Sequence, residues 1–397
     1  MRIYHMTEQP YPEAWERHQG SLRVTLPNGL CEPERAAELF HRYYDEWILA
    51  DRLGLDIMIN EHHQTATCMS SAGVIPLAIL ARETRRARLM VLGYPIGHRP
   101  DPLRAAEELS TIDVISRGRL DMGFVKGVPY EVPVSNVNPV RLMDRFWEAH
   151  DFILKAMTTH DGPFNWEGEF FHYRQVNVWP RPWQQPHPPV WITTSSAGTA
   201  RQIAARGHHL ATMGTGYGAK AVYDAYRQAW RERGQGEPAL ERLGYLGLVA
   251  VAEREAVARE RAEQIAAYPR SSAIVHAPFR NPPGFLSVAD NLRLLKAGGK
   301  PPPRTFTKAG RAVNPATGSV QDLIDAGLMF CGTPDQVVDQ IVDFSEGVGG
   351  FGTLLAMAHA GSLSPGETRD NLTLIAEAVM PKLRRYVAGK VSAAAAE

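Results

Sequence analysis

The sequence predicts a closed (β/α)₈ barrel. Three observations lead there. Eight short β-like runs alternate with stretches of helical spacing over most of a 397-residue chain. Strand-then-helix repeats require parallel pairing, because a parallel connection needs a crossover. The length suits one large domain with insertions, and an open doubly wound sheet, the structural alternative, usually has fewer strands.

In chain order the expected strands are "MRIYHM" (1–6), "LDIMIN" (55–60), "ARLMVLGY" (87–94), "RLDMGFV" (119–125), "PVWITTS" (189–195), "HHLATMG" (208–214), "LGYLGLVAVA" (243–252) and "FGTLLAMA" (351–358). Helical spacing of apolar residues is expected over 34–54, 73–86, 101–116, 141–157, 197–207 and 333–347. Two segments break the repeat. Residues 158–188, rich in Pro and aromatics, read as a small hairpin leading into the fifth strand. Residues 269–325 form a long Pro- and Gly-punctuated insertion between the seventh and eighth strands. Near the catalytic face of a barrel such a segment reads as a lid, with a surface excursion or subunit contact as the equal alternative. Residues 1–397 are taken as one domain, and the tail 389–397 is expected to fray.

Lys plus Arg and Asp plus Glu number 43 each, giving no net charge and no sign of a nucleic-acid groove or an anionic membrane surface. A small-molecule partner is expected. Three cysteines, Cys31, Cys68 and Cys331, are too few and too scattered for a disulfide framework or a structural zinc site. Neither a signal segment nor a membrane span is read, so a soluble cytoplasmic protein is expected.

The chemistry-bearing stretches begin with "INEHHQTATC", in which Glu61, His62 and His63 follow the second strand. That end of a barrel strand faces the active site. Adjacent histidines on a strand point to opposite sides, and the i, i+4 spacing of a helical zinc motif is missing, so the pair is not read as a metal site. In "VWITTSSAGTARQIAARG", Ser195, Ser196 and Thr199 open a helix whose N-terminal donors and dipole suit a phosphate, although simple N-capping gives the same pattern. Arg141 starts another helix and could supply charge-assisted contacts to a dianion, with Arg145 one turn on. Gly93, at the end of the third strand, permits close approach of a flat ligand or marks an ordinary turn.

Taken together, "INEHH", "DPLRAAEELSTIDVISRGRLDMGFVKG", "PVWITTSSAGTARQIAARG", "CGTPDQVVDQIVDF" and "VMPKLRRY" resemble, in order and spacing, the bacterial luciferase-like family of flavin-dependent monooxygenases. The resemblance implies a (β/α)₈ barrel using reduced FMN as a cosubstrate from a separate flavin reductase, with molecular oxygen. It matches Glu61 and His62 to a Glu-His pair near the flavin ring, His62 as catalytic acid/base with a carboxylate neighbour setting its state. Gly93 and Tyr94 match the backbone beneath the ring, and Arg141, Ser195, Ser196 and Thr199 match the phosphate site. Val125 stands where the luciferase α-chain has a reactive cysteine, and Lys126 where it has an arginine, which argues against light emission from long-chain aldehydes. Asp101 replaces a histidine often found before "PLR", with His98 nearby.

The expected function is therefore a monooxygenase for a small organic, apolar or carbonyl-containing substrate, in a homo-oligomer. A deazaflavin-dependent dehydrogenase on the same barrel and a non-catalytic flavin-binding protein stay open. A metal-dependent hydrolase would need further His or Asp ligands at other strand ends, and "LGYPIG", "GFVKG" and "ITTSS" offer none. The pocket walls are expected from the hairpin and the insertion.

Overall fold

In the computed structural model, which describes residues 1–18, 20–299 and 303–394, the expected strands all form. They are β1 (Arg2–Thr7), β2 (Asp56–Ile59), β3 (Leu89–Tyr94) and β4 (Leu120–Phe124), then β5 (Phe164–Glu167) and β6 (His172–Val176), which make the antiparallel hairpin. β7 (Val190–Thr193), β8 (His209–Met213), β9 (Leu243–Val251), β10 (Met329–Gly332) and β11 (Thr353–His359) follow. Parallel pairing runs β1-β2-β3-β4-β7-β8-β9-β11 and returns from β11 to β1, which closes the (β/α)₈ ring. β10 is an addition that sequence reading missed. It pairs with Leu248–Val251 of β9, just beyond the residues that β8 covers.

Alternation along the strands sorts the core into two layers. Tyr4, Met6, Met58, Met90, Leu92 and Trp191 pack within the ring. Ile3, Ile57, Ile59, Leu89 and Val91 instead meet the helices through residues such as Tyr43, Trp47, Leu77 and Leu80. At the N-terminal end of the ring, Asp121 accepts from the Tyr4 hydroxyl at 2.8 Å and from two Arg88 nitrogens at 2.7 Å each.

The helices are α1 (Glu13–Arg17), α2 (Pro33–Leu53), α3 (Val74–Glu83), α4 (Pro102–Ser116), α5 (Leu142–Thr158), α6 (Ala197–Ala205), α7 (Ala219–Glu232) and α8 (Glu255–Ser272). Beyond them come α9 (Ala277–Arg280), α10 (Val288–Lys296), α11 (Val320–Asp325), α12 (Pro334–Gly347), α13 (Pro365–Leu374) and α14 (Met380–Ala394). Local chemistry sets their ends. Asp101 caps α4, accepting from the N–H groups of Leu103 and Arg104 at 3.0 and 3.2 Å. Capping boxes start α11, α12 and α13, and Gly54, left-handed at φ 80°, ends α2.

The long insertion has tighter bounds than the sequence suggests. α8 continues through Pro269 to Ser272, and α11 takes up residues 320–325. The connection between them, of which residues 300–302 lie outside the described residues, touches loops that follow three different strands. Ile274 O accepts from Ser21 Oγ at 2.9 Å, the Lys126 ammonium lies 3.9 Å from the Phe285 ring centroid, and Phe306 bridges to Gly216. These loops follow β1, β4 and β8, so the segment lies across the C-terminal mouth of the barrel. At the chain end α14 runs to Ala394, with Leu383 and Val387 burying its inner face and residues 389–392 exposed, while 395–397 lie outside the described residues.

Candidate active site

β2 delivers its C-terminal residues to the barrel mouth, and the side chains there diverge. His62 directs Nδ1 to Oε1 of Glu131 at 2.8 Å. His63 directs Nε2 to Oε1 of Glu61 at 3.3 Å. Glu61, 2% exposed, also accepts from Arg99 Nη2 at 2.7 Å and from the Gly73 N–H at 2.9 Å. The carboxylate that sets the state of His62 is therefore Glu131, and not the adjacent Glu61 expected from the sequence. The reason is the alternation of a strand end, which sends neighbouring side chains to opposite sides.

The two histidines also border different cavities. His62 lines one of about 660 Å³. His63, with Glu61, His98, Arg99 and Ser135, lines one of about 310 Å³.

Glu131 sits on a single turn at Pro129–Glu131 after β4 and is 1% exposed. It also accepts the N–H of His63 at 3.1 Å, and His98 Nε2 lies 3.8 Å from its other oxygen. Burial works to lower the His62 pKa, but the hydrogen bond and charge of Glu131 outweigh it and raise the pKa above the ordinary imidazole value. Burial pushes the Glu131 carboxyl up, yet contact with His62 and the His63 N–H brings it below the ordinary value. Each partner thus favours the charged form of the other. His98 behaves differently. Burial pushes it down to about 4, its Nδ1 meets Ser135 Oγ at 2.7 Å, and its Nε2 has no hydrogen-bond partner.

At the end of β3 the Leu92–Gly93 peptide is cis. A Cβ on Gly93 would come within 2.3 Å of Cγ1 of Val125, so only glycine lets the two strand ends close up. The Tyr94 side chain turns away from the mouth. It is fully buried, donates to Glu108 at 2.6 Å and lies under the Arg99 guanidinium, leaving only its backbone at the strand end.

The expected phosphate residues sit at two helix starts. Ser196 caps α6, with Oγ accepting from the Thr199 N–H at 3.5 Å, while Ser195 and Thr199 lie at the same exposed or half-exposed end. Trp147 of α5 donates to Gln202 of α6 at 3.0 Å, which ties the two helices side by side. Arg141 and Ser196 each lie six residues before that contact, so the two N-termini are level. Arg141 itself is engaged elsewhere. Its Nε meets Asp144 at 2.8 Å and its Nη atoms grip Glu169 from the hairpin. Arg145 stacks 4.1 Å from the Phe171 ring centroid and keeps Nε unpartnered.

The sequence does contain a trace of Glu131. In "GFVKGVPYEVPVSN" a lone acid is flanked by Val, Pro and Tyr directly after a barrel strand, where a solvated carboxylate would have polar company. Among the described residues no three His, Cys, Asp or Glu side chains converge as a metal-holding group, and no helix is long and apolar enough to cross a membrane.

With this geometry in view, a family model described as luciferase-like monooxygenase matches residues 24–350. An uncharacterized protein of Sinorhizobium fredii is 32% identical over 241 residues, 57% of this chain and 68% of that protein. The oxygenase component of the flavin-dependent trigonelline monooxygenase of Acinetobacter baylyi is 32% identical over 160 residues, 38% of this chain and 42% of that protein. Among solved structures, a monooxygenase of Streptomyces bottropensis superposes with TM-score 0.72 at 23% identity, covering 96% of this chain and 99% of that one. The oxygenating constituent of 3,6-diketocamphane monooxygenase from Pseudomonas putida, solved with FMN, gives 0.70 at 20%, covering 96% and 98%. An F420-dependent secondary alcohol dehydrogenase gives 0.64 at 14%, covering 96% and 99%. These structural likenesses speak for the barrel, and the family match over most of the chain speaks for its lineage: the chain belongs to the luciferase-like monooxygenase family of oxidoreductases.

Proposed function

We propose that this protein is a monooxygenase that uses reduced FMN and molecular oxygen to oxygenate a small organic substrate, apolar or carbonyl-containing. The observation that carries the reading is the His62–Glu131 pair, 2.8 Å apart at the mouth of the barrel and beside a cavity large enough for an organic molecule. Bound reduced flavin supplies the two electrons with which one oxygen atom enters the substrate and the other leaves as water.

The residues present fit such a cofactor. The start of α6 offers hydroxyls and backbone N–H groups to a phosphate, and Gly198 leaves that approach clear, since a Cβ there would meet only Ser196 Oγ at 3.7 Å. Buried polar atoms without partners, among them Arg145 Nε and His98 Nε2, are suited to a polar ligand. The bare backbone at Gly93 suits a flat one.

The work of the chain is positioning, proton handling and water exclusion. A carboxylate only accepts, so Glu131 fixes the proton of His62 on Nδ1 and leaves Nε2 to take or give a proton. Glu61, held by Arg99 and the Gly73 N–H, keeps the loop after β2 in place. The segment across the mouth serves as a lid within this single domain.

Flavin reduction is assigned to a separate reductase, a division supported by the name of the Acinetobacter relative as an oxygenase component. Ile75 and Ile79, one turn apart on α3 and 59% and 39% exposed, support a homo-oligomer. Three free cysteines support a cytoplasmic location.

Anaerobic titration of the purified protein with FMN, reduced FMN and deazaflavin tests the reading, followed by oxygen uptake on admission of air. Tight binding of reduced FMN with substrate-dependent uptake is expected. Preferred binding of deazaflavin without uptake would instead establish a hydride-transferring dehydrogenase, and FMN binding without turnover a non-catalytic flavin carrier.

A further inference from the structure

The cavity beside His62 has walls that neither the hairpin nor the insertion supplies. They come from the loop between α1 and α2, from the start of α2 and from residues 64–71, with Tyr11, Leu26, Phe40, Ala66 and Met69 among them. Among the described residues no Asp, Glu, Lys or Arg borders it. Cys68, which does, is held as a neutral thiol by burial, which raises its pKa well above the ordinary value. Among the described residues the only imidazole in the wall is that of His62.

The rim is also where backbone strain is held. Val24 and Gln64 both line the cavity and both adopt left-handed φ, 67° and 55°. They face each other across a bridge, the Val24 N–H donating to Gln64 O at 2.6 Å, and the bridge itself joins Arg23 to Thr65. A β-branched residue in that region is a genuine outlier, and such outliers concentrate at ligand clamps. Anchors outside the rim hold it there: Ser21 and Arg23 bond to Ile274 O and Ser272 O, each at 2.9 Å.

We infer that this cavity is the binding site for the organic substrate and that it selects an uncharged, mainly apolar molecule of about 10–20 non-hydrogen atoms. The reason is desolvation. His62 is already paired with Glu131, so a charged ligand entering this cavity of about 660 Å³ loses its hydration and meets no uncommitted opposing charge. A neutral ligand loses little, the aromatic and aliphatic part of the wall rewards its burial, and Asn28, Gln64, Thr65 and Ser71 offer neutral polar contacts. His62 then meets the one polar function such a ligand presents. The identity of the bound molecule as substrate rests on the proposed monooxygenase reading, whereas the selectivity of the cavity does not.

The test uses the full chain without flavin. Binding of methyl nonanoate and of the nonanoate ion, which share a skeleton and differ in charge, is measured by calorimetry for the wild type, for Ala36→Trp, which fills the cavity from α2, and for Leu26→Asp, which puts a carboxylate at a half-exposed wall position. FMN binding is measured separately for all three. The wild type should bind the ester about tenfold or more tightly than the ion. Both variants should lose about tenfold in ester binding and keep FMN affinity within about twofold. Equal binding of ester and ion, or ester binding unchanged in Ala36→Trp, overturns the inference. So does loss of FMN binding in that variant, because the cavity would then be the flavin's. Ester selectivity in a wild type that binds no FMN would leave the cavity assignment standing and remove the flavin reading instead.

Discussion

His62 Nδ1 and Glu131 Oε1 meet at 2.8 Å across 69 residues of sequence, joining the loop after β2 to the loop after β4. Glu131 is 1% exposed, so its charge is met by these neighbours and not by solvent. Its two bonds, to the His62 ring and the His63 N–H, orient one imidazole and the backbone of the next.

Replacing Glu131 by Gln keeps the shape and removes the charge. Burial is then opposed only by the charge of Glu8, and the His62 pKa should fall, as read by NMR titration of the ring. Stability should follow the sign of both shifts. The raised His62 pKa contributes fully below about 6.5 and is lost as pH rises through its folded value. The lowered Glu131 pKa contributes above about 4.3 and is lost as pH falls through its folded value. The wild type should therefore gain most over Glu131→Gln between about pH 4.3 and 6.5, and a thermal-melt difference that does not depend on pH would contradict the pairing.

The divergence of the two histidines makes a paired comparison informative. His62→Ala should lower substrate oxidation by about 10²–10⁴-fold, the usual worth of a positioned acid or base. His63→Ala, which removes a 26% exposed ring from a 3.3 Å contact with Glu61, should change it by less than about fivefold. Equal losses in steady-state rate would assign the chemistry to the loop as a whole.

The barrel was legible because its signal is periodic and long. Runs such as 243–252 and 351–358 are almost wholly apolar, as strands buried on both faces must be, and the structure places them in β9 and β11. β10 escaped notice because four residues carry no period that separates strand from loop. The candidate site was legible only to the extent that it is local. Glu61, His62 and His63 are contiguous, so their position at a strand end could be read, but their partners could not. Glu131 and Arg99 reach them from other loops, and those pairings are set by packing between elements. The same limit applies to the cavity walls, which come from residues between α1 and α2 whose composition resembles an ordinary loop.

Arg141 shows how a plausible local reading acquires a condition. Its guanidinium is held by Glu169 and Asp144, both on the protein surface, and a bound phosphate must compete with them. Glu169→Gln weakens the two-pronged competitor without touching the start of α6. FMN affinity should rise by about two- to fivefold at low salt while riboflavin affinity stays constant, because only FMN carries the phosphate. Equal responses of the two flavins would exclude Arg141 from the phosphate site.

The segment proposed as a lid leaves an apolar helix face uncovered. α10 presents Val288, Leu292 and Leu295, 79%, 51% and 71% exposed, at the spacing of a single helical face, so a face built for burial meets solvent. Lys126, in the loop after β4, holds the segment through its cation–π contact with Phe285, worth about 0.5–1 kcal/mol. Closure over a filled site should bury the α10 stripe, and hydrogen exchange across residues 277–299 should slow when FMN and methyl nonanoate are both present. Phe285→Ala loosens the anchor without altering any residue that borders His62, so it should speed exchange in the same window and raise the fraction of reducing equivalents released as hydrogen peroxide. Peroxide yield and exchange both unchanged in Phe285→Ala would show that the segment neither closes nor guards the site, and would leave it a surface excursion.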